Sequence, residues 1–183
     1  LLQMRANDKM GIMKTVTSLT KGSAVRSPLA ACVLIRKCAK MLQDEEQLSE
    51  SPQMDFLELC LRHKNEMVVY EAATAICSLR RATPSDLVHA ITVLQMFLSS
   101  SKPTLRFAAV RTLNRVAISQ PLSVTTCNVD LESLISDSNR SIATLATTTL
   151  LKTGSEHSVD RLMKQISNFM SEIADEFKIV VVD

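Results

Sequence analysis

Leu105-Arg106-Phe107-Ala108-Ala109-Val110-Arg111-Thr112-Leu113-Asn114-Arg115-Val116 decides the fold. Within it Leu105, Ala109, Leu113 and Val116 stand at steps of four, four and three, which is one face of a helix with 3.6 residues per turn. The same stripe stands 37 residues earlier as Val68, Ala72, Ile76 and Leu79, and 37 residues later as Ile142, Ala146, Leu150 and Thr153. A further copy, Ser27, Ala31, Ile35 and Cys38, precedes the Val68 copy by 41 residues, and a new one starts 35 residues beyond Ile142 with Phe177 and Val181. Alanine recurs at the second position, where a small side chain lets two helices approach closely. Leucine or isoleucine at the third fills the space between layers.

Each stripe is preceded by another apolar helical pattern, near residues 8–21, 54–62, 85–99, 129–136 and 157–170. The unit is therefore helix, turn, helix, repeated every 35 to 41 residues, the period of HEAT/armadillo-like α-solenoids. This predicts an all-α chain, 1–183 forming part of one solenoid trunk, with approximate helix pairs at 8–42, 54–79, 85–119, 129–153 and 157–183. The opening Leu1-Leu2 and the closing Ile179-Val180-Val181-Val182 read as cuts in a longer rod. Apolar end faces and self-association of an isolated fragment are the expected consequence.

Punctuation supports the helices. Ser27-Pro28 and Thr83-Pro84 place a capping hydroxyl before a proline suited to the first helical turn, and Asp86 completes a capping-box pattern with Thr83. Asn65 and Asn139 read as N-caps and Gly154 as the residue that ends its helix in the left-handed region. Lys102-Pro103 and Gln120-Pro121 mark element edges. Gln43 to Gln53, rich in acids, reads as a solvated loop.

Composition excludes several function classes. The 183 residues carry 21 Lys+Arg against 19 Asp+Glu, a balance unlike a nucleic-acid footprint. Apolar content of 46% is too high for disorder, and three glycines are too few for a phosphate cradle. No apolar run is long enough to span a membrane as a helix. The five cysteines (Cys32, Cys38, Cys60, Cys77, Cys127) include no C-x-x-C pair and read as reduced core residues.

Catalytic patterns are weak. Ser18-Leu19-Thr20-Lys21 matches S-x-x-K and Lys152-Thr153-Gly154 matches K-T-G, as in penicillin-recognising serine enzymes. The second match closes a helix, however, instead of lying on a strand. His63, His89 and His157 have no second ligand at a metal-binding spacing, and His63, between Arg62 and Lys64, reads as a solvated helix end. Glu172, Asp175 and Glu176 suit a helix N-terminal turn. The reading is no enzyme, no cofactor and no metal. Nine methionines suit either core filling or an adaptable partner groove.

A binding face is more legible. Advancing by one repeat relates Thr74, Arg111 and Thr148, and likewise Ser78, Arg115 and Lys152. These six residues form a ladder predicted to face solvent on the second helices, which line the concave side of helix-pair solenoids. Arg106, Arg111 and Arg115 add a basic strip that suits an acidic protein partner. No aromatics interleave with them as single-stranded nucleic acid would require.

Several stretches closely resemble the trunk of the coatomer γ-subunit family: Leu105 to Asn114, Asp137 to Ala146, Leu151 to Glu156, Asp160 to Ile166 and Asp175 to Lys178. Arg26 to Ala30 and Tyr70 to Ala73 fit as well, while 43–53 and 80–86 diverge. The resemblance implies an adaptin-like α-solenoid segment of the COPI vesicle coat, working in Golgi-to-ER and intra-Golgi transport. It implies pairing with a small coatomer ζ subunit and with the β/δ half of the complex, and recruitment of the full-length subunit by an Arf-family GTPase. That GTPase contact is expected nearer the N-terminus of the full subunit, which leaves ζ as the partner expected here. The implied location is cytoplasmic, peripheral on Golgi membranes and COPI-coated vesicles, with no nucleic acid bound. The alternative is another HEAT/armadillo scaffold, a cargo or regulatory adaptor. The importin version usually repeats Asn and Trp, and Trp is absent here.

Overall fold

The structure is a computed structural model that describes residues 27–43, 48, 51–154 and 159–172, with Gly11, Lys14, Ser18, Ala174, Asp175, Lys178 and Ile179. Most of the expected helix at 8–21, together with His157, Phe177 and Val181, lies outside the described residues. Every regular element among the described residues is helical: α1 (Pro28–Leu42), α2 (Pro52–Cys60), α3 (Glu66–Cys77), α4 (Pro84–Leu98), α5 (Pro103–Ser119), α6 (Pro121–Val124), α7 (Asn128–Leu134), α8 (Arg140–Thr153) and α9 (Val159–Glu172). A 3-10 turn, Thr125–Cys127, joins α6 to α7.

Proline sets most of the starts. It occupies the first turn of α1, α2, α5 and α6, where the missing N–H costs nothing. Ser27, Ser51 and Lys102, each before a proline, are held extended. Asn65 Oδ1 accepts from the Met67 N–H and Asn139 Oδ1 from the Ser141 N–H, both at 3.0 Å, capping α3 and α8. Thr83 and Asp86 form the reciprocal box. The Thr83 N–H donates to Asp86 Oδ2 at 2.8 Å, and the Asp86 N–H reaches Thr83 Oγ1 at 3.4 Å.

Three local expectations are corrected. Ser27 makes no side-chain cap bond. The unanticipated Ser51 caps α2 instead, accepting from the Met54 N–H at 3.2 Å. Gln43 to Gln53 is not simply a solvated loop, because Leu48 and Ser51 are buried and Gln53 is buried in the first turn of α2. Gly154 is not left-handed, having φ −61° and ψ 140°. The end of α8 is closed from another helix. Asn128 Nδ2 donates to the Thr153 carbonyl at 2.9 Å and its Oδ1 accepts from the Thr153 hydroxyl at 2.7 Å. With those groups satisfied, a glycine turn is not required.

Residues 1–90 and 91–183 form two compact units, with the boundary inside α4. In the first, α1 packs on α3, and α2 packs on both. Ile35, Cys38, Leu57, Val68, Ala72 and Ile76 have no exposed surface there. In the second, α5 packs on α8, and α7 packs on α8. Ala109, Leu113, Leu131, Ile142 and Ala146 are fully enclosed. The stripe therefore lies in the cores. Its first position is the weak one, since Ser27 is exposed and Leu105 only half-buried. Each enclosed leucine or isoleucine contributes about 1.5–3 kcal/mol.

Two core threonines of α8 are satisfied within the helix, whereas the buried Thr144 hydroxyl has no hydrogen-bond partner. The Thr147 hydroxyl donates to the Ala143 carbonyl at 2.9 Å, and Thr149 to the Leu145 carbonyl at 2.6 Å. On α5, Thr112 donates to Ala108 at 3.0 Å. Bonding back by four residues satisfies each donor inside its own helix.

Candidate protein-interaction face

Four of the six ladder residues lie on two helices in direct contact, α5 and α8. Arg111 and Arg115 are exposed on α5, and Lys152 is exposed on α8. Thr148 is half-buried, and its hydroxyl donates to the Leu145 carbonyl at 3.1 Å.

Asn114 ties these helices together. Its Nδ2 donates to Thr148 Oγ1 at 3.0 Å and to Thr149 Oγ1 at 2.9 Å, while its Oδ1 lies 3.4 Å from Lys152 Nζ. The chemistry agrees with this amide orientation. Both threonine protons are committed to the Leu145 carbonyl, so the hydroxyls can only accept. The ammonium of Lys152 can only donate, so it meets the amide oxygen. Sequence reasoning missed Asn114 altogether.

The other two ladder residues lie on α3, in the first unit. Ser78 is exposed at the end of that helix, with its hydroxyl donating to the Ala75 carbonyl at 2.7 Å. Thr74 does not face solvent as the ladder required. It is half-buried, and its hydroxyl oxygen is enclosed without a hydrogen-bond partner.

The basic strip also shrinks. Arg106 is withdrawn from it, because Nε donates to Asp137 Oδ2 at 2.9 Å and Nη1 to the Ser100 carbonyl at 2.8 Å. Only 17% of the arginine side chain and 6% of the aspartate side chain are exposed. That pair fastens α5 to the turn before α8. The exposed positive set is Arg111, Arg115 and Lys152, with arginine well suited to planar recognition of carboxylates.

Four of the five thiols are buried and held protonated. Burial pushes Cys38 up to about 12, helped by nearby Cys60, and pushes Cys60 and Cys127 up to about 11. Cys32 is raised too, chiefly by burial and then by the Glu71 charge. Such thiols stay protonated and inert near neutrality. The K-T-G threonine is equally occupied, since Thr153 is buried and bonded to Asn128. His63 is half-buried instead of solvated, its Nδ1 accepting the Asn65 N–H at 3.0 Å.

A cleft of about 300 Å³ lies between the turn at 135–139 and α9, with Phe169 and Ile135 in its wall. Its one carboxylate, Asp137, is already paired with Arg106. Of the methionines, Met54 is core, while Met67, Met96 and Met163 are exposed. Among the described residues no three acidic, histidine or cysteine groups converge to hold a metal, and no helix is long and apolar enough to cross a membrane.

Comparison with known proteins gives the face its setting. The adaptin N-terminal region model matches residues 1–183. The chain is 64% identical over its whole length to coatomer subunit γ-2 of rice and to coatomer subunit γ of Arabidopsis thaliana, and 59% identical to human coatomer subunit γ-2. It spans 21% of the length of each of these relatives. The crystal structure of an engineered protein aligns with a TM-score of 0.66 at 16% identity, covering 93% of this chain and 76% of that one, a likeness of fold alone. The chain belongs to the adaptin N-terminal region family, and within it is similar throughout to the coatomer γ subunits.

Proposed function

We propose that this chain is a segment of a structural coat subunit, a non-enzymatic scaffold that binds other coatomer subunits during Golgi-to-ER and intra-Golgi transport. The observation that carries the proposal is the 59–64% identity over the full chain to coatomer γ subunits of plants, insects and vertebrates. Its work would be geometric: packed helix pairs holding charged side chains at set spacings. The ζ subunit is the partner assigned to this segment, with the β/δ half and an Arf-family GTPase engaging the full-length subunit. The setting is cytoplasmic, peripheral on Golgi membranes and COPI-coated vesicles.

Arg111, Arg115, Thr148 and Lys152 of the second unit, and Ser78 of the first, are the proposed contacts. Thr74 keeps its place only as packing. The test is reconstitution of the full-length subunit with purified ζ, β and δ subunits. Arg111→Glu with Arg115→Glu should lower recovery of the ζ complex about tenfold or more, on the scale of interfacial charge pairs. Unchanged recovery would remove these arginines from the interface. Failure of the unaltered subunit to bind any of the three would remove the coat assignment itself.

A further inference from the structure

The turn before α4 reads Leu79-Arg80-Arg81-Ala82-Thr83-Pro84-Ser85-Asp86. Leu79 and Ala82 are buried and anchor it, whereas Arg80, Arg81, Thr83, Pro84 and Ser85 are all exposed. Ala82 and Thr83 lie outside any helix. Neither arginine forms an ion pair among the described residues. The turn thus presents two unspent guanidinium groups, a hydroxyl and a proline in a fixed order on the surface. Thr83, Pro84 and Asp86 start α4, but the two arginines at fixed spacing before them serve no packing or pairing among the described residues, and the coat assignment does not call for them.

We infer that Thr83 is a phosphorylation site for a proline-directed protein kinase that also reads arginine three residues before the acceptor. The recognition chemistry is specific at both flanks. Pro84 has no N–H and a fixed φ, so it fits an apolar pocket after the acceptor and is rejected where that N–H must donate. Arg80 and Arg81 offer charge-assisted bonds to carboxylates on the kinase. In the transfer, Thr83 Oγ1 attacks the γ-phosphorus of Mg-bound ATP. The new Oγ1–P bond forms as the bond to ADP breaks, and the hydroxyl proton passes to the kinase's catalytic aspartate.

The product would rewire the turn. At present the Thr83 hydroxyl donates to Asp86 Oδ2 at 2.7 Å. A phosphate of about −1.5 to −2 charge has no proton to give and repels that carboxylate. It takes over the cap at the positive end of α4, two and three residues after the two arginines. The local charge of Arg80, Arg81 and Asp86 changes from positive to negative, a change of sign on an exposed surface.

The test incubates the folded chain with ATP and a purified dual-specificity tyrosine-regulated kinase, a proline-directed enzyme of this preference. Intact mass and fragmentation then locate the phosphate. One phosphate on Thr83 is expected. Thr83→Ser should retain modification at this position and keep the cap, while Thr83→Val abolishes it. Arg80→Ala should slow it about tenfold, the equivalent of one charge-assisted contact. Modification of a free peptide of residues 79–88 but not of the folded chain would overturn the inference. So would incorporation that survives Thr83→Val, or a rate indifferent to Arg80→Ala.

Discussion

Asn114 serves as acceptor and donor at once, and removing its amide strands several partners together. The hydroxyls of Thr148 and Thr149 lose the donor they accept from, and Thr149 is fully buried. Asn114→Ala is expected to lower unfolding free energy by about 1–3 kcal/mol, read by urea denaturation. Arg111→Ala, three residues earlier and exposed, should change it by less than about 0.5 kcal/mol. Equal losses would refute the division between packing and contact residues. The buried thiols make a separate statement about pH. Burial raises Cys127 from an ordinary value of 9.0 to about 11, so the unfolded chain gives up that proton first. The thiol's stabilisation is complete below pH 9 and declines as pH rises toward 11, by at most about 1.4 kcal/mol per pH unit. Denaturation of the wild type and of Cys127→Ala across that range should show the gap between them closing. A constant gap would contradict the burial argument.

Elements differ in what holds their ends. Asn65 and Asn139 cap through side-chain bonds, whereas Ser27 stands in a capping position without one. Asn65→Ala and Asn139→Ala should therefore each cost about 1 kcal/mol in thermal or urea unfolding, and Ser27→Ala only a few tenths. If Ser27→Ala cost as much, the cap geometry of α1 would be wrong. The helices also meet through polar rungs spaced about one repeat apart. Arg36 pairs with Glu71, Nη2 to Oε2 at 3.1 Å, and Gln95 Nε2 donates to Asp130 at 2.7 Å. Arg106 with Asp137 and Asn114 with Thr149 continue the theme. Complementary residues at offsets of 31 to 35 were present in the sequence as a signal. Apolar spacing alone does not reveal them.

On the scale of the whole molecule, the proposed partner contact depends on charge left over after packing has taken its share. Arg36 and Arg106 are spent on neighbouring elements, while Arg111 and Arg115 are exposed and form no ion pair among the described residues. Exposed arginines act through a screened field, with a reach of about 8–10 Å near physiological salt. Association of the full-length subunit with purified ζ should therefore weaken as salt rises. The Arg111→Glu, Arg115→Glu variant should lose most of that salt dependence while keeping its melting temperature. A variant with an unchanged salt slope would assign the electrostatics elsewhere.

Period and composition were enough to determine the helical class, the alanine-lined stripe and the family text, because a helix buries one face whatever lies against it. Thr83, Asn65 and Asn139 were legible as caps for the same reason: the bonds close within two or three residues. Only the tertiary structure decided which polar side chains remain available. Thr74 and Arg106 sit at positions that helical phase leaves open, and apposition of a second element encloses one and pairs the other. Gly154 could stay extended because Asn128, 25 residues away from Thr153, satisfies the end of that helix. Contacts that span a repeat depend on how two helices meet, and the phase of one helix does not contain that information.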